Sequence, residues 1–133
     1  MYEPIRTKSV HTTAADPGAF PHRSREEELD IQLASHLAAL LAVTDELRAA
    51  AGTPGLDEAA EELAAQIARL RGGAPVRSAV AVHEPHLVTL HQRAHALAGR
   101  ALVVAASRAD TAAAILAARR MEFHAREMEP VAA

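Results

Sequence analysis

Glycine and proline interrupt this chain at few places and leave four long stretches free of both residues. These stretches are 22–51, 56–71, 86–98 and 100–129. Because glycine and proline are the strongest breakers of regular structure, the gaps between them outline the regular elements directly. The gaps are rich in alanine and leucine and poor in β-branched and aromatic residues, a composition that favours helix. The sequence therefore predicts an all-α domain.

The first two stretches carry recognisable helix signals. Ser24 followed by Glu27 matches a capping box, so helix 1 is predicted from Arg25 to about Ala51, where Gly52 is predicted to supply a left-handed cap. Its leucines recur at helical spacing and form one apolar face. Helix 2 is predicted over 56–71, with acidic residues at its start and arginines at its end, as the helix dipole favours.

The third and fourth helices are separated by a weaker signal. Pro85 suits a first helical position, so helix 3 is predicted from there to about residue 106. Ser107 with Asp110 can cap helix 4, which continues to about Met128 and stops before Pro130. One continuous helix is the alternative, because no glycine or proline separates residues 106 and 110. We favour the break, since an isolated helix of that length would have little to pack against.

Four helices with short first and last connections predict an antiparallel four-helix bundle in up-down-up-down order. The predicted bundle covers residues 24–133. Residues 1–23 mix three prolines with polar and charged residues and lack apolar periodicity, so they are predicted to form a flexible N-terminal tail.

Composition limits the classes of function. The chain has 133 residues, no cysteine, no signal-like apolar run and no segment long enough to span a membrane. These features predict one cytoplasmic domain that has no membrane partner. The first half is acidic and the second mildly basic, which suits two hairpins docking on each other. Clustered basic charge and stacking aromatics are missing, so no nucleic-acid partner is expected.

Histidine is the one reactive side chain that occurs in a pattern. His36, His91, His95 and His124 lie within or beside the apolar faces of helices 1, 3 and 4. If helices 3 and 4 reverse near residue 108, facing positions sum to about 217, which places His124 between the levels of His91 and His95. Up-down-up-down order would put His36 in the same half of the bundle. We favour simple packing as the role of these histidines. The alternatives are that the four residues are ligands of a transition metal or haem, or that they form a pH-sensitive contact.

The nearest family pattern is that of the hemerythrin-like bundles, whose di-iron site uses histidines on several helices. His91 and His95 fit the H-x-x-x-H pair of that family. Helix 2, however, carries Glu58 and Glu62 where the family has H-x-x-x-E. The similarity is confined to histidine spacing, and we do not infer membership.

Helix 4 has two apolar faces where an ordinary bundle helix needs one. The small-residue face, which includes Ala114, Ala117 and Ala118, is predicted to face the interior. Ile115, Leu116, Arg119 and Phe123 form the second face and would be exposed in a monomer, so they are the predicted homodimer interface.

No catalytic constellation emerges, and a non-catalytic role is favoured. The sequence is most consistent with a small helical interaction or regulatory module that acts through protein–protein contacts. The alternative is a His-lined helical bundle that binds a metal, haem or small ligand. The partner, the cofactor and the specific role are unknown from the sequence.

Overall fold

The computed structural model of the protein describes residues 23–77 and 87–129, which form four helices. The all-α fold is confirmed, and each described helix end lies within two residues of its predicted place. The predicted tail, apart from Arg23, and the predicted start of helix 3 at Pro85 lie outside the described residues. The helices are α1 (Arg25–Ala50), α2 (Leu56–Arg71), α3 (Leu87–Arg108) and α4 (Thr111–Met128).

The predicted capping box at the start of α1 is present. The Ser24 hydroxyl accepts a hydrogen bond from the Glu27 amide at 3.0 Å, and the Glu27 carboxylate accepts one from the Ser24 amide at 2.9 Å. Both donors would otherwise be unpaired at the first turn. The left-handed cap predicted at Gly52 is wrong, because Ala51, which follows the last residue of α1, is extended with φ of -148°, and Gly52 has no positive φ. At the far end of α2, Gly72 takes the left-handed conformation that ends helices, with φ of 79°.

The break between α3 and α4 is also confirmed. Ala109 adopts a positive φ of 61°, and Asp110 caps α4 by accepting a hydrogen bond from the Ala113 amide at 3.1 Å. Ser107 was predicted to share this capping role, and that part is wrong. Ser107 lies inside α3, where its hydroxyl donates to the Val103 carbonyl at 3.0 Å.

Ion pairs between helices fix the direction in which each one runs. On α1 and α3, Asp30 pairs with Arg108 and Glu46 pairs with Arg93, so residue numbers rise on one helix as they fall on the other. The two helices are therefore antiparallel. These pairs also join acidic residues of the first hairpin to arginines of the second, as the charge distribution predicted.

The same reasoning places α2 antiparallel to α4. Arg69 pairs with Asp110 and Glu62 pairs with Arg119. Helix α1 packs on α2 and α3, and α4 packs on α3 and more lightly on α2. The order around the bundle is consequently α1, α2, α4, α3, with each helix antiparallel to its neighbours.

The up-down-up-down order expected from sequence is thus wrong, although the bundle is antiparallel. Helices α2 and α3 lie diagonally opposite and run in the same direction, so the end of α2 and the start of α3 lie at opposite ends of the bundle. Arg77, only five residues beyond the Gly72 cap, already pairs with Asp45 in the second half of α1 at 2.8 Å. Five residues in an extended conformation are long enough to bring the chain from Gly72 to the level of Asp45.

The core is built from large residues of α1 and small ones of α3. Leu33, Leu37 and Leu40 are fully buried, as the apolar face of α1 predicted. Helix α3 instead buries alanines, which let its neighbours approach closely. None of the helices in the described ranges is both long and apolar enough to cross a membrane. The buried face of α4 comprises Ala113, Leu116, Ala117, Arg120 and His124.

Candidate functional site

Two of the four histidines singled out from the sequence meet in the interior. The Nδ1 atoms of His91 and His124 lie 2.9 Å apart, and both side chains are buried. Their ring centroids are 5.1 Å apart. The predicted register between helices 3 and 4 is therefore confirmed to within about two positions.

The other two histidines do not complete a four-residue site. His95, half-buried, lies one helical turn after His91. His36 is also half-buried, and the Asp30–Arg108 pair sets it level with Leu102 of α3. At roughly 1.5 Å of rise per residue, His36 is about 16 Å along the bundle from His91. The expectation that His36 shares the half of the other histidines is wrong, because α3 runs opposite to the direction assumed.

Metal-ligating side chains do not gather elsewhere in the described part of the chain. Within residues 23–77 and 87–129, no group of three or more histidine, aspartate or glutamate side chains is close enough to hold a metal ion. The His91–His124 pair supplies two imidazoles. The metal or haem role of the four histidines stays a prediction.

The most unusual side chain of the interior is Arg120. It points from α4 into the core and is 8% exposed. Among residues 23–77 and 87–129, its Nε and Nη2 atoms have no hydrogen-bond partner, and neither does Nε2 of His124, one turn further along the helix. The Phe123 ring covers the guanidinium, with Cζ 4.5 Å from the ring centroid. We call Arg120, Phe123, His124 and His91 the Arg120 cluster.

The two unpaired nitrogens of Arg120 belong to one edge of the guanidinium. In this protein the same edge of Arg77 holds a carboxylate: its Nε donates to Asp45 Oδ2 at 3.0 Å and its Nη2 to Asp45 Oδ1 at 2.8 Å. Such two-point contacts are the usual way in which arginine binds carboxylate and phosphate groups. Inside the bundle, Arg120 therefore presents the same guanidinium edge that holds a carboxylate in Arg77.

Burial controls the charge states in the cluster. Desolvation, together with the positive charge of Arg120 and the neighbouring His91 and His95, lowers the pKa of His124 to about 3. Desolvation also lowers the pKa of His91, and Glu127 offsets part of that effect. The pKa of Arg120 falls for the same reason, but a guanidinium keeps its proton in proteins. At neutral pH the cluster holds one positive charge and two neutral imidazoles.

The histidine pair can place its protons in two ways. A neutral imidazole carries one N–H, so one Nδ1 donates to the other across the 2.9 Å contact. If His91 donates, His124 carries its own proton on Nε2, the unpartnered atom. If His124 donates, Nε2 is a bare acceptor. The cluster can therefore match either a donor or an acceptor placed at His124 Nε2.

The predicted homodimer face of α4 is largely used within the chain. Leu116 is 3% exposed and belongs to the core, and Phe123 is half-buried over Arg120. Arg119 pairs with Glu62 of its own first hairpin at 2.9 Å. Of the four residues predicted to form that face, only Ile115 is a large apolar residue with an exposed side chain, at 54% exposure. The interior face was assigned wrongly because alanine suits either environment, whereas Leu116 is large enough to require the core.

Sequence reasoning did not single out Arg120. A signal was available: Arg120 lies three residues after Ala117 and four before His124, so all three share one helical face. Its neighbour Arg119 falls on the exposed side of the helix. The tandem arginines look alike in sequence and differ only through their positions on the helix.

Comparisons with protein-family models, with curated proteins and with solved structures gave no match for this chain. Function is therefore argued from the site, since a helical bundle by itself serves many roles.

Proposed function

We propose that this protein is a helical bundle that binds a small ligand at the Arg120 cluster. The observation that carries the proposal is a set of three buried polar atoms that find no partner in the described part of the chain, Nε and Nη2 of Arg120 and Nε2 of His124. These three atoms belong to two residues, Arg120 and His124, which lie one helical turn apart on α4. Buried polar atoms in folded proteins are nearly always hydrogen-bonded, so a group of exceptions at one place needs an explanation.

The energetic argument is that a ligand supplies the missing partners. Leaving one buried donor or acceptor unsatisfied costs about 1–3 kcal/mol, and more for a charged group. A ligand that hydrogen-bonds to the Arg120 edge recovers part of this cost on binding. Functional sites are places where folded proteins retain such unfavourable features as unsatisfied buried polar groups.

The cluster favours an organic or inorganic anion over a metal cation. Arg120 carries a permanent positive charge one turn from His124, and that charge lowers the pKa of the imidazole. The same repulsion opposes a metal cation beside His124. A guanidinium also has no free electron pair with which to bind a metal.

A thermal-unfolding screen tests this function. Wild-type protein would be heated with a panel of anionic, neutral and cationic metabolites, Zn²⁺ and haem. We expect at least one compound to raise the unfolding midpoint, because a ligand that binds only the folded state stabilises it. The effect should disappear in Arg120→Met.

Arg119→Met is the matched control for that screen. Arg119 precedes Arg120 in the chain, but its side chain is 56% exposed and paired with Glu62. Ligand stabilisation should survive this change. A panel without any hit, or hits that are equally strong in Arg120→Met, would refute the proposed site.

A second candidate function is self-association, the interaction role predicted from the sequence. Ile115 stands beside an open, largely apolar groove at the α3–α4 turn, with a volume of about 290 Å³. A projecting side chain and a groove on one surface are the combination that a two-fold symmetric dimer requires. The groove is lined by Ala105, Ala106, Ala109, Asp110, Thr111, Ala114, Ile115 and Ala118.

Sedimentation at micromolar concentration tests the dimer. We expect the wild type to sediment as a dimer and Ile115→Glu as a monomer, because a charge would be placed in an apolar contact. Ile31→Glu is the control, since Ile31 is an exposed isoleucine of α1, at 44%. A monomeric wild type, or an Ile115→Glu protein that stays dimeric, would contradict self-association through this groove.

A further inference from the structure

The buried charge of Arg120 is not matched by the acidic side chain that acts on it. Glu62 of α2 is the carboxylate whose charge raises the pKa of Arg120. Its Oε2 atom already accepts a hydrogen bond from Arg119 at 2.9 Å, and its side chain is 47% exposed. Arg120 thus keeps an unpaired binding edge, although an acid lies on the facing helix.

We propose that the ligand of the Arg120 cluster is a small oxyanion, a carboxylate or phosphate group held at two points by Nε and Nη2 of Arg120. This inference rests on the proposed ligand-binding function and specifies its chemistry. The shape of the unpaired edge is the main argument, because the equivalent edge of Arg77 holds the Asp45 carboxylate at 3.0 and 2.8 Å.

Burial makes this edge a stronger anion site than a surface arginine. Charge-assisted hydrogen bonds gain strength where water is excluded, and Arg120 is 8% exposed. The Phe123 ring against the guanidinium face, at 4.5 Å, leaves the edge as the part available for hydrogen bonding. An anion bound there would neutralise the one buried charge of the cluster.

His124 adds a proton-linked contact. An anion beside Nε2 favours the arrangement in which His91 Nδ1 donates to His124 and His124 Nε2 carries a proton. It also favours a doubly protonated His124, because a negative charge nearby raises the pKa of an imidazole. Oxyanion affinity should therefore rise as pH falls from about 7 to 5.

Charged and titratable groups from three helices affect this coupling between oxyanion binding and protonation of His124. Arg120 and His95 oppose protonation of His124, and Glu127 favours protonation of His91. The buried face of α1 carries no titratable side chain. The groups concerned are His91 and His95 on α3, Arg119, Arg120 and Glu127 on α4, and Glu62 on α2.

A nitrogen–proton NMR titration tests the inference at the atom concerned. The Nε–H resonance of Arg120 is identified by its loss in Arg120→Met. Wild-type protein is titrated with acetate, with inorganic phosphate and with acetamide, the neutral analogue of acetate, at matched ionic strength. We expect acetate or phosphate, but not acetamide, to shift that resonance saturably, and the better of the two identifies the oxyanion class.

The variants supply the second readout, followed on backbone resonances of α4. Affinity for the effective anion should be at least about tenfold lower in Arg120→Met, since a buried charge-assisted contact is lost. In Arg119→Met it should change by less than about twofold. A flat affinity between pH 7 and 5 would overturn the role given to His124.

The outcomes separate this inference from the proposed function. If neither anion shifts the Arg120 resonance, while the thermal screen finds a neutral or cationic ligand that depends on Arg120, the oxyanion class is wrong and the site stands. If neither experiment finds a ligand, both proposals fall.

Discussion

Replacing Arg120 with methionine should raise the free energy of unfolding of the ligand-free protein by about 1–4 kcal/mol. The change removes a buried charge whose Nε and Nη2 atoms have no partner, and keeps an unbranched side chain that can fill the space. It also removes the contact with the Phe123 ring, worth about 2 kcal/mol for a cation shielded from water. The desolvation gain should exceed this loss, so a substitution at a buried charged position stabilises the fold. Urea unfolding of both proteins measures the difference.

The neighbouring substitution Arg119→Met should have the opposite sign and a smaller size. It removes an exposed pair with Glu62, and such pairs contribute about 0–1 kcal/mol. Opposite effects from adjacent arginines would show that position on the helix sets their roles. Destabilisation by Arg120→Met of more than about 1 kcal/mol would mean that the guanidinium has a partner in the folded protein, and the ligand site would lose its basis.

The stability of the protein should fall as pH is lowered from 7 to 5, and His124 should account for most of the slope. Its pKa is about 3 in the folded protein and 6.5 without burial. Below pH 6.5 the unfolded chain binds a proton that the folded protein does not. Each further pH unit therefore lowers the free energy of unfolding by about 1.4 kcal/mol. The expected loss is about 2 kcal/mol between pH 6.5 and 5. His91, whose pKa is also lowered, adds in the same direction.

The pH range from 7 to 5 distinguishes the effect of histidines on stability from that of carboxylates. Asp45 and Asp110 have pKa values below 3.8 because arginines hydrogen-bond to them against the effect of burial, so the stability they contribute is lost only below about pH 4. In His124→Leu the slope between pH 7 and 5 should largely disappear. Ile67→Val, which removes a buried methylene, should lower stability by about 0.5–1.5 kcal/mol and leave the slope intact. An unchanged slope in His124→Leu would show that this histidine is not buried as a neutral group.

Local signals in the sequence were sufficient to define the helices. The Ser24–Glu27 capping box is present as predicted, and Asp110 caps α4, because both depend on residues within a few positions of one another. The caps predicted at Gly52 and Ser107 are wrong, although the helices they were meant to bound end close by. The contact between His91 and His124 was also within reach, because a short turn leaves two consecutive helices little freedom of register. Such features follow from short-range geometry, which a linear sequence carries directly.

Two expectations failed because they depended on long-range placement. His36 was assigned to the half of His91 on the assumption that consecutive helices are neighbours, whereas α3 lies beside α1, antiparallel to it, and diagonally opposite α2. Leu116 was assigned to an exposed face because the alanines of α4 are compatible with either side. Neither choice is fixed by a local rule, since both depend on which helix packs beside which.

The sequence by itself determined four helices, the capping box of α1 and the face of α1 that is buried, because these depend on backbone propensity and on periodicity along one element. Only the tertiary structure decided the order of the helices around the bundle and the functional candidates. Arg119 and Arg120 are chemically identical neighbours, yet one meets Glu62 at the surface and the other enters the core without a partner. The difference arises because the environment of a side chain is set by the helices packed around it, and that packing is a property of the whole chain.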